Sequence, residues 1–424
     1  MNFKHILTLC SVLLIGYLGY TIQSQKNAYI LDYEENERIV DSVVAEEDSA
    51  VDISKFVQTY SDYFQMQFDS LHSVGGAMTI VYNGKVVLAK PYGVKKRGTR
   101  DSVNLHTRFR LASVSKGFAG VLAVKMAERE VVDLDTPIVS YLPSLHLSKQ
   151  YNQEHVTLRH VLSQSSGLLG YSFDPYVESG LSYNHIYQKL YVAKIDANPG
   201  EKYAYQNVIF SLLDTVLQLQ TGRTYGDLLK ENVFLPLGMK DASVGFSDFV
   251  DSKNFAYPHK MLSAKTLTYK VCELNSRYYC TAPAAGVNAS ISDMGQWLKA
   301  ILGYSPMIVS DRVRKEIGTP YVTIQTKNSK YWGCGLQSKD YGLGWRVFTY
   351  KGDTLLYHGG YVQGYRSEVV VWKDKHIAMA MLLNSPNALA QKAVPFFVNN
   401  FSFFLDPQQE LGQVEASDTV FVEE

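Results

Sequence analysis

The stretch Phe109–Met126, FRLASVSKGFAGVLAVKM, decides how the rest of the chain is interpreted. It contains Ser113-Val114-Ser115-Lys116, the only Ser-x-x-Lys in the sequence, at the head of a long apolar run. Apolar residues cover almost every face of the helix that this run predicts, which is typical of a buried helix. Lys116 would lie inside that helix, where an ammonium is costly unless it is paired or deprotonated.

A serine and a lysine three positions apart lie on one face of a helix, one turn from each other. Ser113 and Lys116 therefore predict a nucleophile beside a candidate base. The backbone N–H of Ser113, at a helix N-terminus, would suit a developing oxyanion. A purely structural alternative is a serine that caps the helix and a lysine whose ammonium reaches water. The motif needs partners elsewhere in the chain to decide between the two.

Composition predicts a globular protein with a substantial core. The chain has 424 residues, of which 46% are hydrophobic and 19% are charged, enough for one large or two closely packed domains. The formal net charge is zero, which gives no indication of a nucleic-acid partner. Apart from Cys10, three cysteines remain, and Cys272 and Cys280 are the nearest pair for a disulfide. None has a His or Asp at metal-ligand spacing, so we expect no metal site and no cofactor.

The two ends of the chain predict segments outside the folded domain. Lys4 and His5 precede Ile6–Ile22, an uncharged apolar run just long enough to span a bilayer. No clear small-x-small cleavage site follows, so residues 1–25 are predicted as an uncleaved signal and membrane anchor. Its basic end would stay in the cytoplasm, which leaves the catalytic domain exported, on the periplasmic or extracellular side. Residues 26–52 predict an acidic linker, and residues 406–424 an acidic tail.

Hydrophobic periodicity places strands at both ends of the domain and helices in its middle. Aromatic residues at helical spacing predict a helix over residues 53–71, and Asn83-Gly84 then joins two β-rich runs as a hairpin. Residues 157–239 have a helical pattern, in which one helix starts at Asn207 and is capped by Gly222. The Tyr-rich stretch 248–280 predicts loops with short strands. The last third returns to short strands, GLGWRVFTY, DTLLYHGG, YRSEVVVWK and KHIAMAMLLN, and residues 388–405 predict a closing helix.

This order of elements predicts an α+β fold. We expect a mixed antiparallel sheet flanked by helices and built from the N- and C-terminal segments, with an all-helical domain inserted. The whole unit would cover residues 53–405. Its α/β part would take about 53–150 and 285–405, and its helical part about 151–284. A cleft between the two parts is the default position for a site.

Two further motifs supply candidate partners for Ser113. Tyr205-Gln206-Asn207 is the only Tyr-x-Asn in the chain, and a tyrosine beside an ammonium loses its proton more readily, as a general base must. Asn207 could orient the lysine or hold a substrate carbonyl. A core tyrosine and a capping asparagine are the structural alternative. His358-Gly359-Gly360 ends a predicted strand, where the glycines permit close approach by a ligand and the imidazole could donate or titrate.

Together these motifs resemble the serine β-lactamase and penicillin-binding-protein-like superfamily, in its class C β-lactamase, D,D-peptidase and esterase branch. The matching pieces follow one another in the expected order over about residues 75–384. They are FRLASVSKGF, VTLRHVLSQSSGL, PGEKYAYQNVIFSLL, FLPLGMKDAS, AAGVNASISDMGQWLKAIL, YGLGWRV and HGGYVQGYRSEVVVW. Each piece is modestly specific, and the ordered set is highly specific.

The resemblance implies a role for each matching residue. Ser113 corresponds to the acylated nucleophile, Lys116 to the lysine that activates it, and Tyr205 to the base in acylation that later positions water. Asn207 corresponds to the asparagine of the second motif. The remaining correspondences are the third motif at His358, Gly359 and Gly360, and an oxyanion hole made by the N–H groups of Ser113 and Tyr361.

The third motif departs from the β-lactamase form, because His358 stands where a lysine normally faces a substrate carboxylate. A largely neutral imidazole attracts a carboxylate weakly and in a pH-dependent way. Members of the resembled family with His-x-Gly at this position are often esterases, amidases or peptidases. The resemblance therefore implies a serine hydrolase that cleaves an ester or amide in a small molecule or peptide, including D-amino-acid peptides, through acyl-Ser113. A class C-like β-lactamase, which nitrocefin turnover would identify, is one alternative. A non-catalytic binding protein on the same fold, which no acyl probe would label, is the other.

Overall fold

The computed structural model describes residues 52–326 and 330–406. The predicted anchor, the linker up to residue 51 and the tail from residue 407 lie outside the described residues, as does Cys10, and these interpretations stay predictions. The chain divides into two units, of which the second begins at Ile53 and contains all the described helices and strands. No helix in the described part of the chain combines the length and the apolar character needed to cross a membrane.

The described residues form helices and strands in an order close to the predicted one. The α-helices are α1 (Ile53–Ser70), α2 (Ser115–Glu128), α3 (Ile138–Tyr141), α4 (Gln150–His155), α5 (Leu158–Leu162), α6 (Asp174–Glu178), α7 (Tyr183–Tyr187), α8 (Leu212–Thr221), α9 (Tyr225–Leu229), α10 (Phe246–Asp251), α11 (Ala282–Ala285), α12 (Ile291–Leu302), α13 (Asp311–Gly318) and α14 (Leu389–Leu405). The strands are β1 (Gly75–Tyr82), β2 (Lys85–Gly93), β3 (Phe109–Arg110), β4 (Ser243–Val244), β5 (His259–Ser263), β6 (Thr268–Val271), β7 (Val287–Ala289), β8 (Val322–Thr323), β9 (Leu336–Tyr341), β10 (Arg346–Tyr350), β11 (Asp353–Val362), β12 (Tyr365–Trp372) and β13 (Ile377–Leu383).

The main sheet joins the two ends of the described chain. Its strand order is β2-β1-β13-β12-β11-β10-β9-β8, and every neighbouring pair is antiparallel. The N-terminal hairpin β1–β2 enters the sheet by pairing β1 with β13, from Gly76 opposite Leu383 to Tyr82 opposite Ile377. The prediction of an antiparallel sheet flanked by helices and built from both terminal segments is confirmed.

Both faces of the sheet are buried, as the alternation along β12 demonstrates. Val370 and Trp372 belong to a core with α1 and α14, in which the Phe56 ring packs edge-on against Phe397 at a centroid distance of 5.5 Å. Val369 and Val371 belong to the opposite core, with α2 and α12. Successive residues of a strand point to opposite faces, so a strand covered on both sides becomes an almost continuous apolar run.

The hairpin turn and several helix ends follow the local sequence. Asn83 and Gly84 have φ values of +45° and +72°, the left-handed pair of a type I′ turn, as the Asn-Gly dipeptide predicts. Gly222 caps α8 with φ of +68°. The helix predicted from Asn207 begins only at Leu212, because residues 207–211 form turns that carry Asn207 toward the site.

The middle of the chain is mainly helical but not all-helical as predicted, because it also contains β4, which joins β3 and β7 in a three-stranded sheet. The Tyr-rich stretch between residues 248 and 280, expected to hold loops with short strands, contains the β5–β6 hairpin. Aromatic and β-branched residues favour strands over helices. Cys272, Cys280 and Cys334 are free thiols, so no disulfide joins the nearest pair.

Helix α2 is buried from Ser115 to Met126, as its apolar faces predict. Its Phe118 ring stacks on Trp297 of α12 at 3.9 Å. On another face the helix backbone approaches the loop before β10 so closely that a Cβ on Gly120 would lie 2.0 Å from the carbonyl oxygen of Leu343. This packing holds the start of α2 rigidly against the sheet edge.

Candidate active site

Ser113 lies in a 3-10 turn, Ala112–Val114, that connects β3 to α2. It was expected in the first turn of the α-helix, but α2 begins only at Ser115. Ala112 has φ of +48°, a left-handed conformation that costs a non-glycine residue roughly 1–2 kcal/mol. The surrounding packing maintains this strained turn, and Ser113 stays partly exposed while its neighbours are buried.

Lys116 reaches Ser113 from one helical turn away. Its Nζ lies 3.4 Å from Ser113 Oγ, 2.7 Å from Asn207 Oδ1 and 3.1 Å from the carbonyl oxygen of Ala284. The same nitrogen lies 4.5 Å from the centre of the Tyr205 ring. The structure thus brings Ser113, Lys116, Tyr205 and Asn207 together, as the motifs predict.

Burial determines the charge of the lysine. Lys116 is 0% exposed, and desolvation lowers the pKa of its amine well below the ordinary value. The carboxylate of Asp174 opposes this shift, and the guanidinium of Arg346 adds to it. The amine is therefore a candidate proton acceptor at neutral pH, which a solvent-exposed lysine is not.

Tyr205 lies beside Lys116, with its ring centre 4.5 Å from Lys116 Nζ, and its side chain is buried. Desolvation raises the pKa of Tyr205 well above its usual range, although the Arg346 charge and the nearby Ser113 side chain lower it in part. The sequence favoured a tyrosine that loses its proton readily beside an ammonium. Burial instead favours the protonated phenol of Tyr205 and the neutral amine of Lys116.

Asn207 connects the lysine to a carboxylate that the sequence motifs did not include. Its Oδ1 accepts from Lys116, and its Nδ2 donates to Asp174 Oδ2 at 2.7 Å. Asp174 begins helix α6, in a segment where nothing in the sequence pattern indicated a site. The amide therefore orients the lysine, the first of the two roles considered for it.

His358 lies inside a strand, whereas the sequence predicted it near a strand end. Strand β11 continues to Val362, but its pairing with β10 stops at Tyr357. From His358 onward β11 pairs with β12 alone among the described strands, so its other edge faces Ser113. Two glycines in this stretch allow the strand to continue while its backbone approaches the nucleophile.

Both ring nitrogens of His358 are engaged within the protein. Nδ1 lies 2.9 Å from the carbonyl oxygen of Gly359, and Nε2 lies 2.9 Å from the hydroxyl of Tyr341. The side chain is 0% exposed, and desolvation lowers its pKa well below the ordinary value, with the charges of Arg346 and Lys116 acting in the same direction. His358 is thus a neutral positioning group on the inner face of the sheet, and substrate binding by it stays a prediction.

Gly360 is the closest contact between β11 and the nucleophile turn. A Cβ at this position would lie 2.3 Å from the Leu111 carbonyl oxygen, 2.4 Å from Ser367 Oγ and 3.0 Å from the backbone nitrogen of Ser113. The neighbouring Tyr361 has a side chain that is 60% exposed, so only its backbone could take part in the predicted oxyanion hole. The strand edge and the Ser113 turn are therefore close enough to hold one substrate carbonyl between them.

We expect Gly360→Ala to displace the Ser113 turn and lower the rate of acylation at least tenfold, with a loss of stability of about 1–3 kcal/mol from overpacking. Gly359→Ala is the matched control, because its Cβ would meet the Glu368 carboxylate, as close as 2.7 Å, on the other face of the strand. Labelling rates with a fluorophosphonate, measured alongside urea unfolding, compare the two variants. Equal labelling rates at equal stability would contradict the close contact proposed for Gly360.

Arg346 is the second charged residue that the motifs missed. Its NH1 lies 3.4 Å from His358 Nδ1, and its guanidinium carbon lies 5.9 Å from the Tyr205 ring centre. The sequence contained a signal, because Arg346 belongs to the YGLGWRV piece, together with Tyr341 that bonds His358. An arginine at the start of a strand usually lies in solvent, so the position of Arg346 alone does not predict a site.

The described residues contain no group of three or more His, Cys, Asp or Glu side chains placed to hold a metal ion. The amine of Lys116 beside Ser113 instead has the carboxylate of Asp174 and the guanidinium of Arg346 nearby. Their arrangement suits proton transfer and the stabilisation of negative charge.

A family model described as Beta-lactamase matches residues 53–395. Protein flp of Staphylococcus aureus (strain MW2) is 23% identical over 325 residues, which are 76% of this chain and 62% of that protein. Unguisins hydrolase ungD' of Aspergillus campestris (strain IBT 28561) is 22% identical over 336 residues, 77% of this chain and 61% of that protein. The match thus spans less than two thirds of the length of either relative.

A solved structure, the octameric penicillin-binding protein homologue from Pyrococcus abyssi, superposes with a TM-score of 0.70. The two sequences are 22% identical, and the superposition covers 82% of this chain and 77% of that one. At this level of identity the likeness is one of fold.

Proposed function

The chain belongs to the beta-lactamase family, and from that premise we propose that it is a serine hydrolase that forms an acyl intermediate on Ser113. One observation carries the proposal: the buried amine of Lys116 lies 3.4 Å from Ser113 Oγ and 4.5 Å from the centre of the Tyr205 ring. A nucleophile with an adjacent base and an adjacent proton donor is the minimum set for acyl transfer. A capping serine with a solvated lysine would explain neither the full burial of Lys116 nor its contacts with Ser113, Asn207 and Ala284.

Acylation uses Lys116 as the first proton acceptor. The neutral amine takes the proton of Ser113 as Oγ attacks the substrate carbonyl, and the C–O bond forms as the carbonyl becomes an oxyanion. The bond to the leaving group then breaks, and the Tyr205 hydroxyl donates its proton to that group. Lys116 returns its extra proton to Tyr205, so the enzyme is neutral again at both positions. Tyr205 is thus proposed as a proton shuttle that starts as a phenol, because its raised pKa opposes a resting tyrosinate.

Deacylation reverses the same path with water as the nucleophile. Tyr205 passes its proton to Lys116 and takes a proton from water as the water oxygen attacks the ester carbonyl. The ester C–O bond then breaks, the ammonium of Lys116 donates a proton to Ser113 Oγ, and the acid product leaves. We propose that the N–H groups of Ser113 and Tyr361 hold the oxyanion in both steps. Ser113 lies in the turn, and Tyr361 follows Gly360, the residue at which strand β11 approaches that turn.

The charges around the cleft support a substrate that carries an acidic group close to the scissile bond. His358 is neutral and hydrogen-bonded on both nitrogens, so it cannot supply the positive charge of the lysine it replaces. Arg346, in contact with His358 and partly exposed, supplies a permanent charge next to it. The proposed reaction is hydrolysis of an ester or amide that carries such an acidic group. Without a lysine at position 358, we expect β-lactam turnover to be weak.

A substrate panel on the full chain tests this assignment. We expect hydrolysis of p-nitrophenyl esters or D-alanyl peptides, and faster turnover of p-nitrophenyl hydrogen glutarate than of the uncharged p-nitrophenyl valerate. Nitrocefin turnover at ordinary enzyme rates would replace the proposal with a β-lactamase. If no ester, peptide or β-lactam reacts and a fluorophosphonate leaves Ser113 unlabelled, the protein is a binding protein on this fold.

A further inference from the structure

Three side chains, those of Lys116, Asn207 and Asp174, form a line of hydrogen bonds, and no single sequence motif contains all three. Lys116 Nζ donates to Asn207 Oδ1 at 2.7 Å, and Asn207 Nδ2 donates to Asp174 Oδ2 at 2.7 Å. The three residues come from helix α2, from the turns before α8 and from the start of α6. Three separate elements therefore converge on one line of hydrogen bonds that ends at the amine beside Ser113.

An amide side chain can be turned in two ways, and its neighbours decide which is adopted. A carboxylate only accepts hydrogen bonds, so Asp174 requires the NH₂ group of Asn207 on its side. The amide oxygen must then face Lys116. In the reversed orientation the amide oxygen would face the carboxylate, and the amide NH₂ would face the amine.

We infer that Asp174 is a positioning residue for the proposed hydrolase: it holds the Asn207 amide with its oxygen on Lys116 and thereby directs the lone pair of the amine toward Ser113. This inference rests on the proposed function, since it assigns a role in the same proton transfer. Asp174 touches neither Ser113 nor a substrate and acts only through Asn207.

The bonding of Asp174 argues against a purely structural role. Its Oδ1 is buried and has no hydrogen-bond partner among the described residues, although the residue begins a helix, where a carboxylate often bonds backbone N–H groups. Its Oδ2 bonds the Asn207 amide. A buried carboxylate oxygen without a hydrogen bond costs folding free energy. The arrangement therefore contributes little to stability, and orienting the Asn207 amide explains it better.

Asp174 also acts on Lys116 by charge. Its negative charge favours the protonated amine and so opposes the desolvation that lowers the lysine pKa. Near Asp174 the other ionisable groups are Glu178 on the same helix and the phenols of Tyr171 and Tyr278. Near Lys116 they are Arg346 at the start of β10, Tyr205 and His358. Removing the Asp174 charge lowers the Lys116 pKa further, and the amine then becomes neutral at a lower pH.

Asp174→Asn keeps the size of the side chain but no longer dictates the orientation of Asn207. We expect the rate of fluorophosphonate labelling of Ser113 to fall about 10- to 100-fold at the optimum pH, the factor that corresponds to loss of a hydrogen bond with a charged partner. We also expect the acid limb of the pH–rate profile to move to lower pH. A structural role would lower the rate through unfolding and would leave the limb in place.

Glu178→Gln is the matched control. It removes a carboxylate from the same helix, one turn further on, which accepts from the Tyr278 hydroxyl at 2.9 Å and does not contact Asn207. We expect its labelling rate to stay within about threefold of wild type. A double-mutant cycle with Asn207→Ala completes the test, because a residue that acts only through Asn207 should cause little further loss once that amide is removed.

The outcomes separate the two proposals. If wild-type protein is not labelled at Ser113, the proposed function fails. If wild type is labelled and Asp174→Asn matches it in rate and acid limb, the positioning role is overturned. Additive losses with Asn207→Ala, or a lower rate with an unmoved acid limb, would overturn it as well.

Discussion

Replacing Ser113 with alanine is expected to abolish covalent labelling and to lower hydrolysis by about 10⁴-fold or more, because the acyl intermediate can no longer form. Wild-type protein treated with a fluorophosphonate should gain one adduct mass, located on the peptide that contains Ser113. Stability should change little, since Ser113 is partly exposed and the turn around it is held by Ala112 and Gly360.

Ser115→Ala serves as the control for this prediction. The Ser115 hydroxyl accepts from the backbone N–H of Val287 at 3.0 Å and is buried, so its loss should cost about 1 kcal/mol of stability while labelling continues. Undiminished turnover by Ser113→Ala would exclude a serine acyl-enzyme. An adduct on Ser115 in the wild type would move the nucleophile to the other serine of the motif.

Replacing Lys116 with methionine should lower acylation by about 10²- to 10⁴-fold, the usual contribution of a positioned proton acceptor. Methionine has a similar length and no charge, so the buried helix can accommodate it. Stability gains from no longer burying an amine. The carbonyl oxygen of Ala284 and the Asn207 amide lose their hydrogen-bond donor, which offsets part of that gain in folding free energy.

The same variant should change how stability depends on pH. In wild type the folded-state pKa of Lys116 is lowered, while the unfolded chain keeps it near 10.4. Between the two values the unfolded state binds more protons, so stability rises with pH over that window. Lys116→Met should remove this contribution to the pH dependence of the free energy of unfolding. Urea unfolding at a series of pH values measures it.

Lys125→Met is the control in the same helix. Its ammonium donates to the carbonyl oxygen of Ile308, away from Ser113, so acylation should remain at the wild-type rate. If Lys116→Met were as active as Lys125→Met, a different base would have to deprotonate Ser113.

Sequence predicted the features that depend on the conformational preferences of a few neighbouring residues. The Asn83-Gly84 turn, the burial of the helix after Ser113 and the Gly222 cap all follow from residues within a few positions of one another. The closing helix begins within one residue of its predicted start, at Leu389. The four strands predicted in the last third are present, but β8 and β9 were not predicted. Strand β11 is also longer than its pattern indicated, because two glycines allow continued pairing with β12.

The candidate site was predicted only as far as its motifs extend. Ser113, Lys116, Tyr205 and Asn207 could be named, because each stands in a short pattern with a chemical reason. Asp174 could not be named, since it has no neighbour in sequence that indicates a site, and Arg346 lies in the YGLGWRV piece but not in a pattern with a chemical reason of its own. A largely neutral His358 was expected from the ordinary imidazole pKa. The protonation state of Tyr205 was out of reach, because it depends on burial by segments far away in the chain.

The sequence by itself determined which residues could do the chemistry and in what order the strands and helices occur. The tertiary structure alone decided what surrounds Lys116: Asn207 is 91 positions away and Ala284 is 168, and only folding brings them to its amine. The physical reason is that turns and helices follow local backbone preferences, whereas desolvation and hydrogen bonding depend on long-range packing. Ser113-x-x-Lys116 indicated a nucleophile, and the fold turned the lysine beside it into a candidate base.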